Sequence, residues 1–154
     1  MTSNPLDTWH RIIVTQDPSG LRALLADNVV FHSPIVHTPQ RGKEISMRYL
    51  EAALHVFFSP TFHVVRKLFG DTDAMLEFES DIDGVSVNAV DIVKWNTAGQ
   101  IVDFKVMVRP LKAISVVQQK MTARLQAEAV RSSNTKWSRE PEGVPSDTGS
   151  TRRP

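Results

Sequence analysis

The stretch VNAVDIVKWNTAGQIVDF, Val87 to Phe104, carries the pattern that decides the fold. Two runs rich in β-branched and apolar residues flank the polar turn segment Asn96 to Gly99. Such runs around a short glycine-containing segment favour two antiparallel strands joined by a turn. We therefore predict strands over Val85 to Trp95 and Ile101 to Val108.

The residues on both sides of this hairpin continue the pattern. Upstream, Asp83 and Gly84 form a hairpin signal that predicts one more strand before it. Apolar residues recur every three or four positions near the N-terminus, after Gly42 and after Pro110, which predicts helices there. The predicted helices lie near 6–13, at 21–25, at 43–57 and from 110 onward, and the remaining predicted strands cover 29–31, 62–68 and 74–82. Helices followed by a meander of strands are typical of an α+β fold with helices on one face of the sheet.

Composition limits the classes of function. The chain has 154 residues, 41% of them hydrophobic, which suits one globular domain. Its net charge of +1 gives no reason to expect nucleic-acid or anionic-membrane binding, and the absence of cysteine excludes disulfides and thiol chemistry. With no signal-peptide pattern or membrane-length apolar run, we expect a soluble, cytoplasmic protein.

The end of the chain differs from the rest. Residues 128–154 are rich in serine, threonine, proline, glycine and arginine, and contain one aromatic residue, Trp137. Such a segment buries too little apolar surface to offset its ordering entropy, so we predict a domain over residues 1–127 followed by a disordered polar tail. Trp137 leaves open a second hypothesis, in which the tail binds a partner.

Four segments together resemble the nuclear transport factor 2-like superfamily, especially its SnoaL-like branch. They are LRALLADNVVFHSP, QRGKEISMRYL, VNAVDIVKWNTAGQIVDF and VMVRPLKAI, which together span Leu21 to Ile114. The resemblance implies a cone-shaped, cystatin-like α+β fold, in which helices close a cavity inside a curved antiparallel sheet. It also implies frequent dimerisation through the outer, convex sheet face. This scaffold serves isomerases, cyclases, hydrolases and non-enzymatic binders, so the fold alone does not specify a reaction.

By that resemblance, one row of side chains on the strand from Val85 to Trp95 faces the cavity. The row and its expected neighbours are Val87, Ala89, Asp91, Val93, Trp95, Leu76, Phe78, Val102, Phe104, Val106 and Val108. Asp91 is the one carboxylate in this apolar set, so we expect desolvation to raise its pKa. It could then act as an acid or base near neutral pH. The alternative is structural: a backbone amide, or a helix-side partner such as Trp9, satisfies the carboxyl.

The opposite row mixes charged and apolar side chains. It comprises Glu77, Glu79, Asn88, Val90, Ile92, Asp103, Lys105, Met107 and Arg109. We expect a homodimer through this face, with Lys105 and Arg109 of one copy facing Glu77 and Glu79 of the other. The alternative is a solvated face whose ion pairs contribute little.

The known chemistries of related folds are only partly represented. Ketosteroid isomerases use a carboxylate base after the first strand, a tyrosine and a protonated aspartic acid; these positions fall on Ser33, Trp9 and Asp91. A serine cannot remove a carbon-bound proton without its own base, so this resemblance does not predict steroid isomerisation. The arginine and second acid of limonene-epoxide hydrolases fall on Ala89 and Val106. The cyclase pattern expects an acid or histidine late in the last strand, where FKVMVRP has none facing inward.

The segment HSPIVH contains His32, Ser33 and His37, which raises the question of a metal or nucleophile site. These histidines, together with His63, are spaced irregularly, so we predict no metal and no other cofactor. No nucleophile-elbow motif surrounds Ser33. Alternation places His32 on the outer face, which leaves only Ser33 and His37 near the cavity.

We therefore predict a pocket for a small apolar molecule with one polar group. Its expected lining is Trp9, Phe31, Ser33, His37, Tyr49, Phe78, Asp91, Phe104 and Val106. In one hypothesis the protein is an isomerase, cyclase or hydratase that uses Asp91 as acid or base, with Trp9, Tyr49 or His37 orienting the substrate. In the other it is a non-catalytic ligand-binding or dimerisation module.

Overall fold

A six-stranded sheet with helices packed on it forms the described part of the chain. The computed structural model describes residues 4–137. The helices are α1 Pro5–Thr15, α2 Leu21–Leu24, α3 Lys43–Phe57 and α4 Leu111–Trp137, and the strands are β1 Leu25–His32, β2 Gln40–Arg41, β3 His63–Phe69, β4 Asp73–Ile82, β5 Val85–Trp95 and β6 Ile101–Arg109. The spatial order of the strands is β2-β1-β6-β5-β4-β3. The predicted α+β class with a curved sheet is confirmed.

The sheet is mixed, whereas the sequence predicted an antiparallel one. β1 runs parallel to β6, with Val30 opposite Asp103 and His32 opposite Lys105. The chain passes through β2, α3 and the strands β3 to β5 before β6 returns beside β1, and a long crossover is what allows parallel neighbours. The predicted loop after β1 also contains the two-residue strand β2, whose Gln40 lies opposite Phe31.

Local signals position α1 and α3 on the sheet. The Asn4 side chain caps α1 by accepting a hydrogen bond from the Leu6 amide at 2.8 Å. At the other end of α1, the Gln16 side chain donates to the carbonyl of Leu54 in α3 at 3.2 Å, which joins the two helices. Gly42 begins α3 with a φ of 105°, a conformation that glycine adopts without strain.

Alternation along the strands assigns the two faces of the sheet correctly for β4 and β5. The inner row of β5, from Val87 to Val93, is buried against the helices. On β6 the prediction is wrong at one end, because Ile101 is fully buried while Val102 is only half-buried. A register shift at Lys94 and Trp95 displaces the pairing there, and such a shift exchanges the faces of neighbouring residues.

The last helix continues past the boundary that composition predicted after residue 127. α4 extends to Trp137, and Arg124 donates to Glu128 across one turn at 3.3 Å. Alanine, glutamine, arginine and glutamate support a helix even where it buries little surface. The rest of the predicted tail lies outside the described residues. None of the helices in residues 4–137 has the length and apolar character that a bilayer crossing requires.

Candidate functional site

Asp91 lies in the middle of β5, on the inner face of the sheet. Its neighbours across the ladder are Leu76 on β4 and Val106 on β6. Both are apolar, and Asp91 itself is only 3% exposed. A carboxyl is therefore held in the hydrophobic core, where an unpartnered charge is strongly unfavourable.

Trp9 on α1 provides the partner of this carboxyl. Its indole N–H donates a buried hydrogen bond of 2.8 Å to Oδ2 of Asp91. The indole ring meets the ring of Phe104 edge to face, with centroids 5.1 Å apart. The contact confirms the helix-side partner that the structural hypothesis for Asp91 expected, and it fastens α1 to the centre of the sheet.

The environment shifts the protonation of Asp91 strongly. Burial raises the pKa of the carboxyl from 3.8 to about 7, and the hydrogen bond from Trp9 opposes this rise in part. Desolvation dominates because it penalises the charged form. The raised pKa predicted from the sequence is confirmed, and both protonation states are populated near neutral pH.

A small cavity adjoins Asp91. Its volume is about 20 Å³, which is room for about one water molecule. Aliphatic and aromatic side chains surround it: Trp9, Ile13, Leu50, Ala53, Leu54, Phe57, Phe58, Phe62, Phe78, Phe104 and Val106. Phe58 is 37% exposed and Phe62 is half-buried, and their tilted rings lie with centroids 5.8 Å apart; we call these two partly exposed wall residues the mouth.

The structure brings five of the nine predicted pocket residues to this cavity: Trp9, Phe78, Asp91, Phe104 and Val106. Phe31 and Tyr49 pack on each other, with ring centroids 5.6 Å apart, and do not line it. The prediction omitted most of the helical wall, although Leu50, Leu54 and Phe57 follow one stripe of α3 and could have been found from their spacing.

Ser33 and His37 lie elsewhere, contrary to their predicted place in the pocket. They line a separate surface pocket of about 580 Å³ beside β6. β1 ends at His32, and the Ser33 hydroxyl oxygen then accepts the amides of Ile35 and Val36 at 3.1 and 3.4 Å, which turns the chain away from Asp91. His32 meets Asp103 at 2.9 Å on the outer face, as alternation predicted.

The order and spacing of these elements agree with a known family. The sequence profile of the SnoaL-like domain matches residues 6–104. The chain belongs to the SnoaL-like domain family. No protein among those with curated descriptions gives a significant sequence match.

Solved structures resemble this SnoaL-like chain over most of its length. A steroid delta-isomerase from Pseudomonas aeruginosa is 31% identical, with a TM-score of 0.78, covering 84% of this chain and 97% of that one. A bacterial protein with a cystatin-like fold from Silicibacter pomeroyi is 26% identical, with a TM-score of 0.75 over 86% and 92% of the two chains. The epoxide hydrolase/cyclase-like enzyme SalBIII, described in pyran ring formation in the polyether salinomycin, is 14% identical, with a TM-score of 0.56 over 68% and 88% of the two chains, and shares the fold.

Within this SnoaL-like domain, the chemistry of the cavity depends on one group. Asp91 is the only titratable side chain among the residues that line it. Across residues 4–137, no three histidine, aspartate or glutamate side chains gather in a way that could hold a metal ion. The arrangement can donate or accept one proton, and it supplies one indole N–H.

Proposed function

We propose that this SnoaL-like domain binds a small apolar molecule that carries one polar group, and that Asp91 is the contact for that group. The observation that carries the proposal is a single carboxyl with a pKa of about 7 at the base of an aromatic cavity. Binding sites for small molecules combine apolar walls with few polar groups in this way.

The reaction that suits a single carboxyl of this kind is an acid–base-catalysed shift of a proton within the bound molecule. Asp91 can take a proton from one atom of a bound molecule and return it to another, because both of its protonation states are accessible. The 31% identity to a steroid delta-isomerase supports an isomerase of this general kind. By the resemblance, the base position of ketosteroid isomerases falls on Ser33, which lines another pocket, so Asp91 would perform both steps.

Access to Asp91 requires side chains at the mouth to move. The cavity of about 20 Å³ is much smaller than the few hundred Å³ of typical ligand sites. Phe58 and Phe62 are the partly exposed members of its wall. Outward rotation of these rings would open the aromatic cluster to a flat apolar ligand without unpacking the sheet.

Native mass spectrometry of the protein purified from its own source is the direct test. We expect a retained small molecule in wild type, and Asp91→Asn protein that keeps its fold but no longer converts that molecule. Trp95→Phe, a change on the same strand outside the cavity lining, is the control and should convert it normally. Absence of any retained molecule, or equal conversion by Asp91→Asn, would contradict the catalytic proposal.

A non-catalytic module is the second candidate, and the packing around Asp91 favours it. The carboxyl already has Trp9 as a partner, and the cavity is nearly filled. In this case the Asp91–Trp9 pair fixes α1 to the sheet, and the domain acts through its surfaces. Loss of the fold in Asp91→Asn would support this candidate over the enzyme.

The outer face of the sheet is the surface that we propose for a homodimer. Met107 is 53% exposed and Met75 36% exposed, and they lie opposite Val90 and Ile92 in the strand register. Contiguous exposed apolar side chains on a sheet face suit a self-complementary contact. The ion pairs that the sequence predicted between copies are not needed to neutralise Glu77 and Glu79, because these acidic side chains have partners within the chain. Those partners are Arg66 and Asn88 for Glu77, and His63 for Glu79.

A charge placed in the centre of this face should prevent the dimer. We expect Met107→Glu to halve the mass measured by light scattering, because it puts a carboxylate into an apolar contact. Val14→Glu is a matched control, since Val14 is also 53% exposed but lies on α1. A mass that Met107→Glu leaves unchanged would count against the outer-face dimer.

A further inference from the structure

The early end of β1 leaves a pocket beside β6. β1 stops at His32, opposite Lys105, while β6 continues to Arg109. Among the described strands, none pairs with β6 beyond Lys105 on this side. The loop from Ser33 to Pro39 lies next to this open edge, and the two enclose the surface pocket of about 580 Å³.

The polar side of this pocket carries a positive charge that has no counter-ion among the described side chains. Lys105 is half-buried, and no carboxylate in residues 4–137 lies within ion-pair distance of it. Asp103, two residues earlier on β6, is engaged by His32 at 2.9 Å. A cation that is partly removed from water favours an anionic partner.

Ser33 adds a fixed hydrogen-bond donor. Its oxygen accepts two backbone amides, which holds the hydroxyl in place at the start of the loop. No described acceptor takes the hydroxyl hydrogen, so it remains available to a molecule in the pocket. His37, exposed on the same loop, lines the pocket as well.

The remaining wall is apolar. Pro34 and Pro39 come from the loop, and Met107 and Val108 come from β6. A cation and a hydroxyl at one side of an apolar wall match a molecule that has an anionic head and an aliphatic body. A single lysine balances one negative charge, whereas doubly charged phosphates are better matched by arginine forks.

We propose that this edge pocket binds an organic monocarboxylate with a short aliphatic chain. The carboxylate meets Lys105 and the Ser33 hydroxyl, and the chain lies on the two prolines and Val108. The site is distinct from the Asp91 cavity, with Val106 lining both, and the proposal does not depend on any reaction at Asp91.

Calorimetric titration with sodium octanoate and with octan-1-ol tests the site. We expect saturable binding of octanoate, at least tenfold tighter than of octanol, and a loss of about tenfold in Lys105→Met, which keeps an aliphatic side chain. Lys94→Met, a matched change at an exposed position of β5, should bind octanoate as wild type does. No octanoate binding, equal binding of the alcohol, or full affinity in Lys105→Met would each overturn the proposal.

Two further measurements keep this site separate from the other proposals. If Asp91→Asn loses octanoate binding while Lys105→Met retains it, the acid lies in the Asp91 cavity and the edge-pocket proposal is wrong. Light scattering of Lys105→Met should show an unchanged mass. Loss of octanoate binding only together with a changed mass would assign Lys105 to the dimer contact and overturn the site.

Discussion

Replacing Asp91 with asparagine is expected to remove a fall in the free energy of unfolding that wild type shows between about pH 4 and pH 7. The fall arises because the pKa of Asp91 is about 7 in the folded protein against 3.8 for the ordinary side chain. Each pH unit between two such values corresponds to about 1.4 kcal/mol, so the total is on the order of 4 kcal/mol.

The direction of the effect follows from which state holds the proton. Below about pH 4 the carboxyl is protonated in both the folded and the unfolded chain, and its contribution to stability is fully present. Between about pH 4 and 7 the unfolded chain releases the proton while the folded chain retains it, so a rise in pH favours unfolding. Above pH 7 both are ionised, and the loss is complete.

Urea denaturation followed by circular dichroism, at closely spaced pH values from 4 to 9, measures the effect. The free energy of unfolding of Asp91→Asn should not fall between pH 4 and pH 7. Above pH 7 the variant should therefore be more stable than wild type. Burial and the nearby charge of Lys67 lower the pKa of His10. Stability therefore gains from the deprotonation of His10 as the pH rises through about 6, but this gain is the same in wild type and in Asp91→Asn. Asp71→Asn, the same substitution at an exposed position, is the control and should show the same pH dependence of stability as wild type. If wild type and Asp91→Asn have the same pH dependence, burial does not raise the pKa of Asp91.

Periodicity predicted the framework around this carboxyl well. The strand from Val85 to Trp95 and the helix from Lys43 to Phe57 have the predicted bounds, and Asp91 faces the core as alternation requires. These features depend on local rules: a strand exposes alternate side chains to one face, and an amphipathic helix buries one stripe. A single carboxylate within such an apolar row is visible in the sequence before any coordinate is known.

Features that depend on several segments at once were harder to predict from the sequence. The parallel pairing of β1 with β6 depends on the long connection between them, and no residue pattern within either strand indicates it. The register shift near Trp95 places Ile101 in the core, and no residue type in that turn predicts such a shift. The position of Ser33 depends on where β1 stops pairing, which its own residues do not determine.

Cavity volume could not be predicted for a related reason. The row of apolar residues was consistent with an open pocket or a filled one, because the free space depends on how rings from α1, α3, β4, β6 and the segment between α3 and β3 interlock. Phe57 and Phe62 both pack against Phe78, at 5.6 and 5.2 Å between ring centroids, and little space remains. Close packing of this kind is a result of side-chain shape in three dimensions, not of spacing along the chain.

Replacing Trp9 with phenylalanine should destabilise the protein, and more strongly at pH 8.5 than at pH 5. Phenylalanine keeps an aromatic ring beside Phe104 but removes the N–H that donates to Asp91 at 2.8 Å. That hydrogen bond lowers the pKa of Asp91, so its loss raises this pKa further and extends the fall in stability to higher pH. A buried charged acceptor that loses its donor costs about 1–3 kcal/mol, whereas the neutral carboxyl present at pH 5 loses less.

A double-mutant cycle of Trp9→Phe with Asp91→Asn separates this contact from the smaller ring volume. The volume lost from the indole lowers stability equally at both pH values, while the Trp9–Asp91 coupling should be larger at pH 8.5. Trp95→Phe is the matched control, because Trp95 is half-buried and should show no dependence on pH. Equal losses at the two pH values would mean that Trp9 stabilises the domain by packing alone, and the hydrogen bond would then have no measurable part in holding α1 on the sheet.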